Sequence, residues 1–345
     1  MTRYHPIREL LVCRLRTFYR EPEAMFWTYG FPILLTVGLG VAFRAKPPEQ
    51  VAVVIEDGDQ LHDIREALQA DDAFQTSACP PDDCAERIRK GEATLAVLGS
   101  LGAIEYRYDP TRPEAALARL KVDEALQRLA GRSDSFTPIE THVTAPGDRY
   151  IDFLVPGLLG MNLMGGGLWG IGFVTVDMRI RKLLKRLVAT PMRKRDFLLS
   201  LIGSRMVFTV PETLVLLVGG WLIFGIVIRG NLLSIAVVAG LGALSFAGLG
   251  LLAASRARKL ETISGLMNVI MLPMWIFSGI FFASSRFPDV LQPFIQALPL
   301  TQLNNALRAV ITEGASLATL SVPLAILSAY AVVSFLLALK WFRWT

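Results

Sequence analysis

Six separate apolar runs, at 24–43, 150–176, 198–227, 232–254, 262–283 and 319–339, dominate this chain. Each is long enough to cross the hydrocarbon core of a bilayer as a helix, which takes about 20 residues. Hydrophobic residues make up 52% of the 345 and charged residues only 19%, a balance that excludes a water-soluble globular protein for the whole chain. The expected fold class is a polytopic α-helical membrane protein with six transmembrane helices. The first run is expected to be retained rather than cleaved as a leader. More than twenty residues precede it and Phe43-Arg44 ends it, whereas a leader has a short basic start, about 7 to 15 apolar residues and a small-x-small cut site.

Basic residues in the connections give the orientation, because positively charged short loops stay in the cytoplasm. Arg3, Arg8, Arg14, Arg16 and Arg20 precede the first run; eight of the twenty residues 177–196 are Lys or Arg; Arg256, Arg258 and Lys259 follow the fourth run; Lys340 and Arg343 end the chain. The opposite connections hold Arg229 and Arg286, and Arg44 and Lys46 flank a long insert, where the rule weakens. Both termini are therefore expected to be cytoplasmic, with residues 47–149 outside. The sequence pI near 9.2 is a topology signal, and no nucleic-acid partner is expected.

Residues 1–23 read as an N-terminal amphipathic helix lying in the interface, with Ile7, Leu10, Leu11, Leu15 and Phe18 at helical spacing. The 47–149 segment reads as a small extracytoplasmic α/β domain. VAVVIE (51–56), TLAVLGS and AIEYRYD look like strands, the last two joined at Gly99 to Gly102. DQLHDIREALQA and RPEAALARLKVDEALQRLAG look like helices, the second closed by Gly131. Cys79 and Cys84, in CPPDDC, are either a disulfide or two buried thiols. His62 and His142 stand singly, and no metal site is expected. Residues 285–316 hold two short amphipathic pieces separated by Pro299, too short to cross, expected to dip into the outer leaflet. Residues 340–345 form a cytoplasmic tail.

No GxxxxGK[ST] loop, Ser/His/Asp set or HExxH pattern occurs. No catalytic residue is expected, and the chain has no phosphate-cradling loop of its own. In the basic stretch 177–197, Ile180, Leu183, Leu184, Leu187 and Val188 fall at i, i+3, i+4, i+7 and i+8, with Arg179, Arg181, Lys182, Lys185 and Arg186 between them. This pattern fits an anchor on anionic lipid or a docking helix for a cytoplasmic partner. Within the runs the expensive side chain is Glu212, with Arg205 two helical turns earlier on the same face. Glu212 is either a substrate or gating contact, or a paired group kept near the inner interface. Asn162 and Asn268 are further intramembrane polar candidates.

Two sets of residues carry a family resemblance. LKRLVATPMRKRDFLLS, with Leu184, Leu187, Val188, Thr190 and Pro191, resembles the motif after the second span in the type-2 exporter permeases of the ATP-binding cassette superfamily. Pro288, Pro293, Pro299-Leu300-Thr301 and Leu307-Arg308 resemble their late outer segment, and the order of spans is similar to the multidrug- and lipid-exporting subgroup. The resemblance implies a transport subunit without an ATPase site, in a bacterial cytoplasmic membrane. Its implied partners are a separate cytoplasmic ATPase subunit, which holds ATP and Mg, and a second permease, identical or similar. It also implies that the loop is a coupling helix contacting that ATPase through Leu183, Leu184, Leu187, Val188, Thr190 and Pro191. The family's acidic residue and Gly-Thr are replaced here by Arg181, Lys182 and Leu183, and a second commonly acidic place holds Lys185. The implied partner groove is then more acidic than usual, or these charges face lipid. Met164, Trp169, Trp275 and Phe277, with Met161 and Phe281, are then candidates for an apolar translocation path or ordinary span packing. The competing readings are an ion-coupled secondary transporter or channel using Glu212, and a membrane-anchored scaffold or receptor.

Overall fold

The structure, a computed structural model, describes residues 6–43, 50–58, 61–100, 103–132, 149–190 and 193–342. The chain forms two compact units, 45–143 and the remainder.

In the larger unit, α1 (Pro6–Tyr19) leads into α2 (Pro22–Met25), a π-turn at Phe26–Gly30 and α3 (Phe31–Ala42). Glu21 is extended (φ −106°, ψ 91°) before Pro22, which occupies the first helical position, where its missing N–H costs nothing.

The smaller unit is an α/β sandwich. Its elements run β1 (Val51–Glu56), α4 (His62–Gln69), β2 (Phe74–Cys79), α5 (Pro81–Lys90), β3 (Leu95–Ser100), β4 (Ala103–Arg107) and α6 (Pro113–Leu129). The sheet order is β2-β1-β3-β4, with β1 parallel to both β2 and β3 and β4 antiparallel to β3. Alternation along β1 divides its side chains. Val53 and Ile55 pack with Ile64 and Leu68 of α4 and Val122 and Leu126 of α6, while Val54 packs with Cys84 and Ile88 of α5. β2 and α5 are absent from the sequence expectation. FQTSAC alternates too weakly to announce a strand, and CPPDDC reads as a loop although Pro81 stands at the first position of α5. Cys79 and Cys84 are disulfide-bonded, Cα atoms 5.5 Å apart. Gly131, at φ +92°, closes α6 as its left-handed terminal residue.

After Tyr150 the larger unit resumes with α7 (Tyr150–Gly167), a π-segment at Leu168–Phe173 and α8 (Val174–Ile180), continuous over 31 residues. α9 (Leu183–Val188), α10 (Lys194–Phe224), α11 (Leu232–Ala254), α12 (Leu260–Phe277), α13 (Gln292–Ala297), α14 (Pro299–Arg308) and α15 (Ser321–Trp341) follow. Among the described residues, six helices are long and apolar enough to span a membrane. The third begins at Lys194 rather than 198 and stops at Phe224, where Gly225 turns left-handed at φ +62°. The fifth stops at Phe277, short of 283, because Gly279 takes φ +70° and the chain turns.

Of the two short pieces in 285–316, the second, α14, lies inside the helical bundle. Pro299 to Asn304, Ala306 and Leu307 are all buried, because α7, α11 and α15 enclose the helix. On its polar side Asn304 Nδ2 donates to the carbonyl of Ser278 at 2.8 Å, while Thr301 Oγ1 and Asn304 Oδ1 are buried without a hydrogen-bond partner.

α7 is the central helix, and glycine makes its packing possible. A Cβ on Gly167 would lie 2.5 Å from Cβ of Phe246 and 2.9 Å from the backbone nitrogen of Ala247, while one on Gly157 would lie 2.8 Å from the carbonyl oxygen of Ile280. In lipid no hydrophobic gain drives helices together, so such close backbone approach supplies the association.

Two outcomes follow from this packing. Gly167→Val lowers the thermal midpoint in detergent, the overpacking costing about 1–3 kcal/mol, whereas Gly170→Ala, with nothing within 4 Å of the added carbon, leaves it unchanged. In the smaller unit, Cys84→Ala removes the constraint of a short closed loop, worth about 2 kcal/mol. Hydrogen exchange on the intact protein should then show β1 to β3 amides exchanging roughly thirtyfold faster.

Candidate functional site

The basic stretch folds as two helices and a turn. α8 ends at Ile180, Lys182 adopts a left-handed conformation (φ 59°) and α9 starts at Leu183. A non-glycine residue held there is strained by about 1 kcal/mol or more, so the surroundings must hold the turn in place. They do so from both sides. Arg179 donates from Nη1 to the carbonyls of Ala254 (2.8 Å) and Ala257 (2.6 Å) at the end of α11. Leu184, fully buried, packs with Phe197, Leu198 and Leu201 of α10 and Leu251 of α11.

This geometry redistributes the expected apolar face. Leu184 faces inward and Leu187 packs beside that cluster. Leu183 (36%) and Val188 (42%) are exposed, as is Thr190, whose hydroxyl donates to the carbonyl of Leu187. Pro191 lies outside the described residues. The helical turn already ends at Val188, so the single continuous stripe through Ile180 expected from the spacing is broken at Arg181-Lys182.

Three of the four polar candidates gather on one side of α7. Arg205 and Glu212 form a bidentate ion pair, Nη1 to Oε1 at 2.6 Å and Nη2 to Oε2 at 2.8 Å, with side chains only 4% and 1% exposed. Nη2 also donates to the carbonyl of Leu163 at 3.1 Å. Gly166 makes room for the guanidinium, which a Cβ there would strike. Asn162 donates to the carbonyl of Thr28 in the first π-turn at 3.1 Å, and the Tyr29 hydroxyl from the same turn is buried and interacts electrostatically with both charges. Leu163 lies thirteen residues into α7, about 20 Å along the helix, and the pair sits in that half of the bundle. Asn268 stands apart, exposed on α12.

α1 closes this cluster from the basic side. Leu11 packs over Gly203, the Phe18 ring lies 4.5 Å from Phe208 and 5.8 Å from Tyr29, and Arg14 Nη2 donates to the carbonyl of Gly170 at 2.8 Å. Burial draws the Arg14 guanidinium down to about 10, so it stays charged at neutral pH. Its carbonyl acceptor lies in the π-segment of the second span, where the helical bonding pattern shifts.

The path candidates occupy different places. Met164 is fully buried in the bundle core. Trp169 donates to Met271 Sδ at 3.2 Å, Trp275 is 39% exposed, and Phe277 packs edge-on against Phe287 at 5.0 Å. Sequence reasoning missed Arg308 as a structural centre. Its guanidinium lies 3.7 Å from the Phe153 ring centroid and donates to the carbonyls of Phe153 and Gly279. The Leu307-Arg308 dipeptide was visible, but nothing in the sequence placed it against α7.

A family model described as ABC-2 family transporter protein matches residues 23–340. The chain belongs to that family. The match runs from the first span to the end of the sixth and includes the turn and the ion pair. The ABC-2 chain is thus a transport permease, and membership implies association with an ATP-binding cassette ATPase. No curated protein gives a significant match. Among the described residues no group of three or more His, Cys, Asp or Glu is placed to hold a metal ion.

Breaking the buried pair in this ABC-2 permease leaves an uncompensated charge, at a cost of about 3–5 kcal/mol. Glu212→Gln and Arg205→Gln are therefore each expected to lower the thermal midpoint sharply. The double variant Arg205→Met with Glu212→Leu should recover most of it, and additive losses in the double variant would contradict the pairing.

Proposed function

We propose that this chain is the membrane-spanning subunit of an exporter, moving an amphipathic or apolar, drug- or lipid-like substrate outward. ATP and Mg are bound by a separate cytoplasmic ATPase subunit, and a second permease, identical or similar, completes the transporter. The distribution of Lys and Arg supports placing the basic turn and both termini in the cytoplasm of a bacterial cell.

The observation that carries this reading is the turn at 179–190 in a chain with no phosphate-binding loop. It is anchored inward by Arg179 and Leu184, while Leu183 and Val188 stand exposed among Arg181, Lys182, Lys185 and Arg186. A rigidly seated protrusion with apolar tips and a basic rim suits a groove with apolar pockets and acidic edges. Leu183, Val188 and Thr190 would meet the ATPase directly; Leu184 and Leu187 would transmit the contact into α10 and α11. Glu212 as an ion-coupling group is less well supported, because both of its oxygens are engaged by Arg205.

The test is co-purification with the ATPase, followed by vanadate-sensitive, ATP-dependent transport in proteoliposomes. Leu183→Asp with Val188→Asp should lower ATPase retention at least tenfold while the thermal midpoint holds, since both side chains are exposed. Leu184→Asp should unfold the turn. Unchanged retention in the double variant would sink the docking role, and ATP-independent behaviour of the complete assembly would favour a scaffold.

A further inference from the structure

On the perimeter of the bundle, at the end that carries the basic turn, α10, α11 and α15 leave a groove of about 240 Å³. Every residue lining it is apolar or glycine, among them Leu198, Ile202, Leu251, Val332, Phe335 and Leu336. Val332 and Leu336 are 57% and 59% exposed, so the groove opens outward. An all-apolar cavity offers water no partner. In a protein with six candidate spans, hydrocarbon is what faces this surface.

The two apolar stripes that wall the groove each continue into a cation. On α10 the residues Arg195, Leu198 and Ile202 follow i, i+3, i+7, and on α15 Val332, Leu336 and Lys340 follow i, i+4, i+8, so each cation extends a groove-lining face by one turn. Arg195 is well exposed, with Asp196 at 3.9 Å, but Asp196 turns back to accept from the backbone N–H of Arg193. Lys340 is exposed. Beside it Trp341 is 43% exposed with the Arg256 guanidinium 5.3 Å from its ring. An amphipathic ring with a cation over it is the usual furniture of the headgroup layer. Hydrocarbon wall, interfacial tryptophan and a cation one turn beyond each groove-lining stripe thus succeed one another in the order of a phospholipid's own parts.

We propose that this groove holds one acyl chain of an anionic phospholipid from the leaflet beside the basic turn, with its phosphate between Arg195 and Lys340. The groove shares Leu198 and Leu251 with the packing that seats Leu184, but its lining includes none of Glu212, Leu183 and Val188, and it does not depend on the transport reading. A zwitterionic lipid offers the same chain, but its ammonium offsets the phosphate, so the preference comes from the two cations. Each supplies roughly fivefold.

Native mass spectrometry of the full chain, released from nanodiscs of equal phosphatidylglycerol and phosphatidylcholine, reads the occupant directly. The wild type should retain phosphatidylglycerol over phosphatidylcholine by roughly twentyfold or more. Arg195→Gln with Lys340→Gln should abolish the preference while a lipid is still retained, and Val332→Trp should abolish retention of either lipid. Because all three side chains are exposed, the variants should fold, and if Val332→Trp did not, the charge variants alone would decide the headgroup claim. Equal retention of both lipids by the wild type would overturn the proposal, as would a preference untouched by the charge variants. Conversion of a dimer to a monomer by Val332→Trp would assign the groove to a second copy of the chain instead.

Discussion

The glycines of the second span, Gly157, Gly160, Gly166 and Gly167 of α7 and, beyond its end, Gly172, determine how close everything else can come. Each glycine admits one specific neighbour: the carbonyl of Ile280, the amide of Asn304, the guanidinium of Arg205, the backbone at Phe246 and the carbonyl of Gly250. A bilayer supplies no hydrophobic force between helices, so these contacts must come from fit and from polar groups satisfied inside the protein. A glycine-rich span can serve close packing or bending. At these positions the structure answers with close packing, while Gly165 and Gly170 have open space around them. In the π-segment 168–173 the ladder shifts, and Arg14 meets the carbonyl of Gly170.

The ion pair shares this dependence. Arg205 and Glu212 lie on one helix, two turns apart, so movement of α10 as a body leaves their mutual bonds intact. What such movement would break is the bond from Arg205 to the carbonyl of Leu163 and the fit of its guanidinium over Gly166. The pair therefore ties α10 to α7, and its cost in a low-dielectric interior is offset by bidentate geometry and a third acceptor. Asn162 extends the same tie to the first span through the carbonyl of Thr28.

Much of this was legible because it rests on local rules. The span at 232–254 coincides with α11, bounded by Asn231, whose side chain accepts from the N–H of Leu233. VAVVIE, the strands on either side of Gly99 and the helix closed by Gly131 were visible from periodicity and turn chemistry. The Arg205 to Glu212 spacing likewise announced a shared face. What was hidden depends on tertiary surroundings. FQTSAC becomes a strand because Val51 to Glu56 offers a parallel partner. The stripe from Ile180 to Val188 breaks because Arg179 and Leu184 are claimed by α10 and α11, and a spacing rule that assumes one unbroken helix has no means of seeing Lys182 go left-handed. α14 has the pattern of a surface helix, yet it is enclosed, because Asn304 and Arg308 find carbonyls at Ser278 and Gly279 that only the turn after α12 brings near.

Two arginines at opposite ends of the second span hold the ends of neighbouring helices. Arg149 pairs with Asp152 and donates to the carbonyls of Phe224 and Gly225, while Arg179 donates to those of Ala254 and Ala257. In each case a cation meets the unsatisfied carbonyls and negative dipole end of a neighbouring helix. The second span is thereby clamped to the end of α10 on one side of the bundle and to the end of α11 on the other. The basic turn begins two residues after Arg179 and is itself seated by Leu184 against Leu251 of α11. Displacing the turn therefore displaces the end of α11 through two independent contacts, one electrostatic and one packed. Because α11 meets α7 through glycine at Gly250 and Gly167, with no compressible side chain between them, that displacement reaches the central helix with little lost to side-chain rearrangement.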